Sequence, residues 1–512
     1  MESLTISRTV PVLTNIFVFI LLSGSSVAAK QSNIVFILTD DQDVALFGQY
    51  PMPKAKQLIA DQGMTFMNMF VTSPLCCPSR SSILTGQYLH NHLVTNNSVT
   101  GNCSSVTWQK TSELNTFPTY LQANGYSTFF AGKYLNEYGF HQNGGVRHIP
   151  PGWDVWNGLV GNSVYYNYSL SANGVEEKHG QNYSQDYLTD VIHRKAVNYL
   201  QKQVNATRPF FMMLSTPACH APFTPAPQYE KNFTNQQAPR TKHFNIHGKD
   251  KHWLVDQAVT PMPQDTINMI DDDFRNRWRT LLSVDDMVDD VVNTLKATGQ
   301  LDNTYIFYSS DNGYHLGQFS LPFDKRQLYD FDIRVPLYVR GPGIKPNSTN
   351  EESVMSIDLA PTFLDLAGLH APASFDGLSL TPIFTNQAHS FRDKVLVEYH
   401  GEHLNVIPGC PQYLNQGMAN CGKHCVCEDA WNNTFACIRT QTAQESYKYC
   451  ALQDNDNFVE VYDLKNDPYE LVNIAKIASP DILTQLSQEL ADLSLCAGAN
   501  CHTTPSFKVV GK

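Results

Sequence analysis

Short apolar runs recur along the first two thirds of the chain, and amphipathic stretches separate them. The runs cover residues 34–38, 127–131, 210–214 and 305–308, and each is short enough to be one buried strand. Between the last two, apolar residues spaced three and four positions apart predict a helix over residues 274–298, which Gly299 ends. A further helix is predicted over 357–366, started by Ser356. This alternation is typical of an α/β fold with a largely parallel sheet flanked by helices.

The pattern changes after about residue 385. Strand-like runs remain at 394–399 and 458–462, a helix is predicted near 481–493, and six of the 12 cysteines fall between positions 410 and 450. The cysteines could form a zinc site, but they lack paired C-x2-C spacing, so disulfides are favoured. Cys496 and Cys501 are close enough to bridge each other. We predict a main domain over 30–385 and a smaller, disulfide-rich C-terminal domain over 386–512, with an antiparallel sheet and a helix.

Residues 1–29 have the composition of a secretory signal peptide. Arg8 precedes an apolar stretch, and small residues lead to a predicted cleavage site after Ala29. A membrane anchor is the alternative, but it needs about 20 apolar residues, and Pro11 and Asn15 interrupt this stretch. We expect a mature protein without a membrane span, in an oxidising compartment of the secretory route. Asn-x-Ser/Thr sequons agree with a glycoprotein; they lie at Asn96, Asn102, Asn167, Asn182, Asn205, Asn232, Asn347 and Asn432.

The composition and net charge limit the classes of molecule that this protein could bind. The 512 residues are 42% hydrophobic and 16% charged, which excludes a disordered chain, and the net charge of −12 argues against nucleic-acid binding. Taken alone, that charge also disfavours a polyanionic partner. However, it counts the 17 histidines as neutral, and their protonation in an acidic compartment would make the net charge positive.

Polar residues follow each predicted strand. The first runs into Asp40 and Asp41, the second into Lys133, the third is followed by His220, and the fourth runs into Asp311 and Asn312. Each of these polar residues also has an explanation that involves no ligand, such as a helix cap, a turn or a surface lysine. Ligands of open α/β sheets bind at the carboxyl ends of the strands, so these residues could share one pocket. The oxygen ligands of the two acidic pairs suit Ca²⁺ or Mg²⁺ better than zinc.

The segment from Cys76 to Gly86 carries the most specific motif. It reads Cys-Cys-Pro-Ser-Arg-Ser-Ser-Ile-Leu-Thr-Gly. Pro78 suits the first turn of a helix, which would place Cys76 at the helix N-terminus, where N–H groups and the dipole favour an anion. The alternative is that Cys76 and Cys77 are disulfide partners of other cysteines.

This segment resembles the sulfatase signature C-x-P-S-R followed by x-x-Ile-Leu-Thr-Gly, and the resemblance extends over nearly the whole mature chain. It implies an alkaline-phosphatase-like fold and the oxidation of Cys76 to formylglycine (3-oxoalanine) by a formylglycine-generating enzyme. It also implies one Ca²⁺ per chain and four further residues around the sulfate. By this match the Ca²⁺ ligands are Asp40, Asp41, Asp311, Asn312 and the modified Cys76; Arg80 stabilises formylglycine, Lys133 and Lys325 contact the sulfate, and His220 matches a family histidine.

The match has one departure and one consequence for the cysteines. Many sulfatases have a histidine two residues after the first lysine, where this chain has Leu135; His315 is our candidate to replace it, or else a core histidine. If Cys76 is consumed, eleven cysteines remain, so at least one is a free thiol or forms an intermolecular bridge. Cys77 is our candidate for the free one.

The resemblance also implies a reaction. A hydroxyl of the hydrated aldehyde (a gem-diol) attacks the sulfur, and the sugar alcohol leaves with a proton that His220 could supply. The second hydroxyl of the covalent sulfate intermediate then collapses to the aldehyde and expels sulfate. Residues 131–139, 311–318, 324–329 and 425–430 resemble the lysosomal, exo-acting branch of the family, which removes 6-O-sulfate from non-reducing-end N-acetylglucosamine in heparan sulfate and keratan sulfate.

We therefore expect a sulfuric ester hydrolase acting on sulfated glycosaminoglycan ends. It would be located in the lysosomal lumen or secreted, with no nucleic-acid or membrane partner and with homodimers allowed. The alternatives are an extracellular heparan sulfate 6-O-endosulfatase, a phosphomonoesterase and an inactive sulfated-glycan-binding protein.

Overall fold

A ten-stranded mixed sheet forms the centre of the molecule. The computed structural model describes residues 31–44, 51–385, 391–402, 424, 426–427, 429–441 and 446–502. In this sheet the strand order is β10-β2-β9-β8-β1-β7-β3-β4-β5-β6. The strands are β1 (Asn33–Thr39), β2 (Met64–Phe70), β3 (Ser127–Gly132), β4 (Val155–Leu159), β5 (Tyr168–Ala172), β6 (Val175–His179), β7 (Phe210–Ser215), β8 (Thr304–Ser310), β9 (Arg334–Arg340) and β10 (Ser348–Met355).

The four strands predicted from the apolar runs are β1, β3, β7 and β8, and they are neighbours in the sheet. All their mutual pairings are parallel, whereas β9 and β5 pair antiparallel with the strands beside them. The prediction of a largely parallel sheet is therefore confirmed. Because these four strands run in one direction, their carboxyl ends lie at the same edge.

Both faces of the sheet are buried. Along β1, Phe36 and Leu38 pack into one apolar cluster, while Val35 and Ile37 pack into another on the opposite face. Side chains of a strand alternate between its faces, so a strand covered on both sides reads as a continuous apolar run. This explains why the sequence pattern located these strands.

Helices cover the two faces. The longest, α9, starts at Gln264, ten residues before the predicted start, and in this added part the buried Asp271 forms an ion pair with Arg240 (2.7 Å). The predicted helix near 357 begins as a 3₁₀ turn at Ser356–Asp358 and continues as α11. The helices are α1 (Pro53–Ala55), α2 (Cys76–Thr85), α3 (Leu89–His92), α4 (Val106–Lys110), α5 (Phe117–Ala123), α6 (Tyr183–Asp186), α7 (Leu188–Lys202), α8 (Trp253–Asp256), α9 (Gln264–Ala297), α10 (Asp330–Ile333), α11 (Leu359–Leu366), α12 (Thr381–Phe384) and α13 (Pro480–Leu493).

A four-stranded antiparallel sheet follows in the C-terminal region, as predicted. Its strands are β11 (Lys394–Tyr399), β12 (Phe435–Gln441), β13 (Ser446–Leu452) and β14 (Val459–Asp463), in that order, and helix α13 follows in the chain. Disulfides join Cys437 to Cys450 across β12 and β13, and Cys496 to Cys501 as predicted. One apolar cluster contains residues of both sheets, and the domain boundary near residue 385 stays a prediction.

Two predictions concern the ends and the surface of the chain. The signal peptide at 1–29 lies outside the described residues, and no helix among those described is long and apolar enough to span a membrane. Asn432 is only 4% exposed, and we therefore expect no glycan at that sequon. Asn96 and Asn102 are partly buried. The exposed sequons are Asn167, Asn182, Asn205, Asn232 and Asn347.

Candidate active site

The loops after β1 and β8 bring two acidic pairs together. Asp40 and Asp41 follow β1, Asp311 and Asn312 follow β8, and all four are buried. The Asp311 carboxylate accepts the backbone N–H of Asp41 (3.0 Å) and that of Asn312 (2.8 Å). Asp41 has a φ of 63°, a left-handed conformation uncommon outside glycine. These contacts fix the carboxylates at the edge that the strand order predicted.

Helix α2 carries the Cys76 motif into this cluster. Cys76 is its first residue, and its Sγ lies 3.8 Å from Asp40 Oδ1. The Ser79 hydroxyl donates to the Asp311 carbonyl (2.5 Å), and the helix ends at Gly86 with a φ of 65°. All ten residues of the helix are buried, so its N-terminus is held rigidly against the acidic pairs.

Arg80 and Lys133 neutralise part of this negative charge. Arg80 Nε donates to Asp311 (2.7 Å), and a second guanidinium nitrogen donates to the Lys133 carbonyl (2.8 Å). Lys133 Nζ donates to Asp40 (2.7 Å). Gly132 has a φ of 114°, and a Cβ there would meet the Ser215 carbonyl at 1.8 Å, so the turn that delivers Lys133 requires glycine.

Burial alone would raise the pKa of Asp40. The cations around it, of which Lys133 acts most strongly, outweigh burial and hold that pKa well below its usual range. The carboxylate of Asp40 is therefore ionised across the physiological range.

The donor set fits a hard divalent cation. Carboxylate oxygens of Asp40, Asp41 and Asp311 lie within 4.8 Å of one another. Asn312 Nδ2 donates to Asp41 (2.8 Å), whereas its Oδ1 is buried without a hydrogen-bond partner. A buried acceptor normally has a partner, and a cation at this point would supply one. Oxygen-only ligands match Ca²⁺ or Mg²⁺ rather than zinc.

Lys325 and His220 also reach the cluster. Lys325 Nζ donates to Asp41 Oδ1, and His220 Nε2 lies 3.8 Å from Asp41 Oδ2. His220 Nδ1 lies 2.6 Å from the Ala221 carbonyl, which assigns the Nδ1 proton to that bond and directs Nε2 towards the acids. Burial lowers the pKa of His220, so its neutral form is favoured.

His315 is placed beside this group rather than in it. It is fully buried, and its Nδ1 lies 3.0 Å from Asp332. Leu135 is part of the apolar core. The replacement of the family histidine by His315 stays a prediction.

The cysteine prediction was wrong for Cys77. Cys77 forms a disulfide with Cys103, and the free cysteines of the described chain are Cys76 and Cys219. Burial raises the pKa of the Cys76 thiol to about 11 and that of Cys219 to about 12. An unmodified Cys76 would therefore be protonated and a poor nucleophile.

Some residues of the site were not found from the sequence. Ser163 donates its hydroxyl to Asp40, Ser215 accepts from Arg80 (2.7 Å), and Arg277 of α9 donates to the Asp41 carbonyl. Ser215 ends β7, so its position at a strand end was a usable signal. Ser163 and Arg277 lie in a loop and in a long helix, and neither carries a local motif.

Comparison with known proteins adds independent findings. A protein-family profile described as "Sulfatase" matches residues 32–369. The chain is 54% identical to human N-acetylglucosamine-6-sulfatase over 94% of this chain and 88% of that protein. It is 44% identical to the Drosophila melanogaster extracellular sulfatase SULF-1 homolog over 72% of this chain and 33% of that protein. A solved complex of a protein with its substrate D-glucosamine-2-N,6-O-disulfate matches with a TM-score of 0.72 and 26% identity, over 90% of this chain and 97% of the other.

Proposed function

The chain belongs to the sulfatase family, and from that premise we propose that it hydrolyses the 6-O-sulfate ester of non-reducing-end N-acetylglucosamine 6-sulfate in heparan sulfate and keratan sulfate. It is a sulfuric ester hydrolase. The 54% identity to human N-acetylglucosamine-6-sulfatase over most of both chains supports the 6-O-sulfated glucosamine substrate, as does the fold shared with a protein whose substrate is D-glucosamine-2-N,6-O-disulfate.

One observation carries the proposal. Cys76 is free and lies at the N-terminus of α2, 3.8 Å from Asp40, in a cluster that also holds Asp41, Asp311 and the cations of Arg80 and Lys133. A carboxylate cluster alone would attract a cation and repel a sulfate. The three cations Arg80, Lys133 and Lys325 offset that charge and allow an anionic ester to enter.

Each residue then has a task that its position supports. Lys133 and Lys325 would stabilise the negative charge that grows on the sulfate oxygens as the ester bond breaks. Their ammonium groups donate to Asp40 and Asp41, which places both cations at the acidic cluster. His220, once it is protonated at Nε2 in an acidic compartment, would donate that proton to the departing sugar alcohol, and proton transfer of this kind contributes about 10²- to 10⁴-fold. Arg80 would hold Asp311 and the Lys133 backbone in place.

Two groups complete the proposed centre. Asp40, Asp41, Asp311, Asn312 and residue 76 would hold one Ca²⁺, which when bound polarises sulfate oxygens as a Lewis acid. Formylglycine at position 76 would supply a hydrated aldehyde as the nucleophile, in place of a thiol that burial keeps protonated. The geometry of the carboxylates and the unpartnered Asn312 oxygen support the cation.

The proposal extends to location and partners. A secretory route to the lysosomal lumen, or secretion, agrees with the disulfides of the described chain. The partners would be sulfated glycosaminoglycan ends and, during biosynthesis, a formylglycine-generating enzyme. Homodimer formation remains part of the proposal.

The test compares terminal with internal sulfates. The purified protein is given N-acetylglucosamine 6-sulfate and, separately, intact heparin, and released sulfate is measured at acidic pH. We expect release from the monosaccharide and from chain ends only. Release confined to internal positions of heparin would contradict the exo-acting proposal and favour the endosulfatase alternative.

A further inference from the structure

Lys325 is presented by a strained piece of backbone. The residues on either side of it, Asp324 and Arg326, have φ values of 148° and 86°. Non-glycine residues in such regions cost about 1–3 kcal/mol each and persist only where the surroundings hold them. The position of Lys325 Nζ against Asp41 therefore depends on contacts that restrain this loop.

The restraint comes from the side chain of Arg326. One guanidinium nitrogen contacts both Asp324 carboxylate oxygens (3.2 and 3.1 Å), and two others donate to Glu402 Oε2 (3.0 and 2.7 Å). The Arg326 carbonyl accepts from Asn433 Nδ2 (3.0 Å). Arg326 is 7% exposed, so these charge-assisted bonds are shielded from water.

The same carboxylate also reaches the Cys76 helix. Glu402 Oε1 accepts the backbone N–H of Asn97 (3.2 Å), and Asn97 Oδ1 accepts the backbone N–H of Cys77 (2.9 Å). Cys77 is the second residue of α2, next to Cys76. Glu402, three residues beyond the end of β11, thus joins the Lys325 loop to the N-terminus of α2.

We propose that Glu402 is a positioning residue of the sulfatase centre, which sets the separation between Lys325 and residue 76 through Arg326 on one side and Asn97 on the other. The inference rests on the proposed function, since it assumes that both groups act on one sulfate. In this proposal the C-terminal sheet contributes to the active site, because strand β11, which leads to Glu402, belongs to that sheet.

The first variant is Glu402→Gln. Glutamine has one acceptor oxygen, so its amide N–H₂ would face either the guanidinium or the Asn97 N–H, and one of the two contacts is lost. We expect kcat to fall about 10- to 100-fold, the scale on which small misplacements of catalytic groups act. We expect KM to change much less, since the sulfate still binds to Lys133.

The matched control is Glu398→Gln. Glu398 lies on β11 itself, is 10% exposed at its side chain, and pairs with His90 (2.8 Å), which is not a residue of the centre. The Glu398→Gln variant removes an ion pair from the same segment of the chain, and its kcat should stay within twofold of the native value. Formylglycine content and melting temperature are measured for both variants, so that lost modification or folding is not read as lost positioning.

A second pair tests the other end of the bridge. Asn97→Ala removes the acceptor for the Cys77 N–H and should also lower kcat, whereas Asn97→Asp keeps the acceptor and should restore it. The double variant of Asn97→Ala with Glu402→Gln should have a kcat little lower than that of either single variant, because both substitutions interrupt the same connection.

The outcomes separate the two proposals. No sulfate release by the native, fully modified protein would overturn the proposed function itself. Release by the native protein together with kcat for Glu402→Gln and Asn97→Ala within twofold of native, as for Glu398→Gln, would overturn the positioning role. If Glu402→Gln does not fold, the two Asn97 variants alone test the positioning role, since they leave the ion pair between Glu402 and Arg326 in place.

Discussion

Replacing Lys133 by methionine separates what this lysine does for the fold from what it does for the reaction. Lys133 is fully buried, and its Nζ donates to Asp40 at 2.7 Å. Methionine keeps most of the volume but leaves the Asp40 carboxylate without its strongest cationic partner. Breaking a buried ion pair by removing one partner costs about 3–5 kcal/mol, so the free energy of unfolding should fall by that amount without added metal.

Saturating Ca²⁺ should return part of this stability, because the cation would compensate the charge of Asp40. It should not return the activity. The loss of one donor to a developing anionic charge lowers kcat about 10²- to 10³-fold, and we expect that loss for Lys133→Met at saturating Ca²⁺. Urea unfolding with and without Ca²⁺ measures the first effect, and sulfate release from N-acetylglucosamine 6-sulfate measures the second.

Lys394→Met is the control. Lys394 is also buried and pairs with Glu489 (3.1 Å) on α13, outside the acidic cluster. It should lose stability, gain nothing from Ca²⁺ beyond what the native protein gains, and keep its kcat. If Lys133→Met kept kcat within tenfold of native at saturating Ca²⁺, the role of Lys133 on the sulfate would be refuted.

Three further predictions follow from the same structure. Dialysis against EGTA should abolish activity and lower the melting temperature, and Ca²⁺ but not Zn²⁺ should restore both; full activity after dialysis would refute the metal site. Burial, and to a lesser degree His90, lowers the pKa of His92 to about 3, and its Nδ1 accepts the Val94 N–H (3.1 Å), so the folded protein keeps it neutral. Because the unfolded chain takes up a proton there below about pH 6.5, this residue should cost about 2–3 kcal/mol of stability at pH 4.5. Urea unfolding should show a flatter acid limb for His92→Gln, and an unchanged limb would contradict the assignment. Peptide mapping after enzymatic deglycosylation should find no glycan on Asn432, whose side chain is buried, and should find glycans among the exposed sequons.

The sequence predicted the central strands and the residues that follow them for one physical reason. A strand covered on both faces must be apolar throughout, so polar residues just past its end are conspicuous, and parallel strands bring those ends together. Asp40, Lys133, His220 and Asp311 were all found this way. Lys325 follows no predicted strand and was found only through the family resemblance, because a strained loop presents it.

The sequence was less informative where charged residues are buried in pairs. Strands β12 and β13 contain Arg439 and Lys448, and Lys448 is fully buried against Asp330 (2.8 Å), so no apolar run marks them. The early start of α9 was missed for a similar reason. With Cys76 modified, the odd number of remaining cysteines predicted at least one unpaired cysteine. No local feature of the sequence distinguished Cys77, which is bridged, from Cys219, which is free.

The state of residue 76 in an active preparation tests the central claim most directly. The tryptic peptide that contains position 76 is analysed by mass spectrometry with and without an aminooxy probe for aldehydes, and sulfate release is measured on the same sample. We predict an aldehyde at position 76, with activity proportional to the aldehyde fraction across preparations. A fully active sample in which Cys76 carries an unmodified thiol would contradict the account.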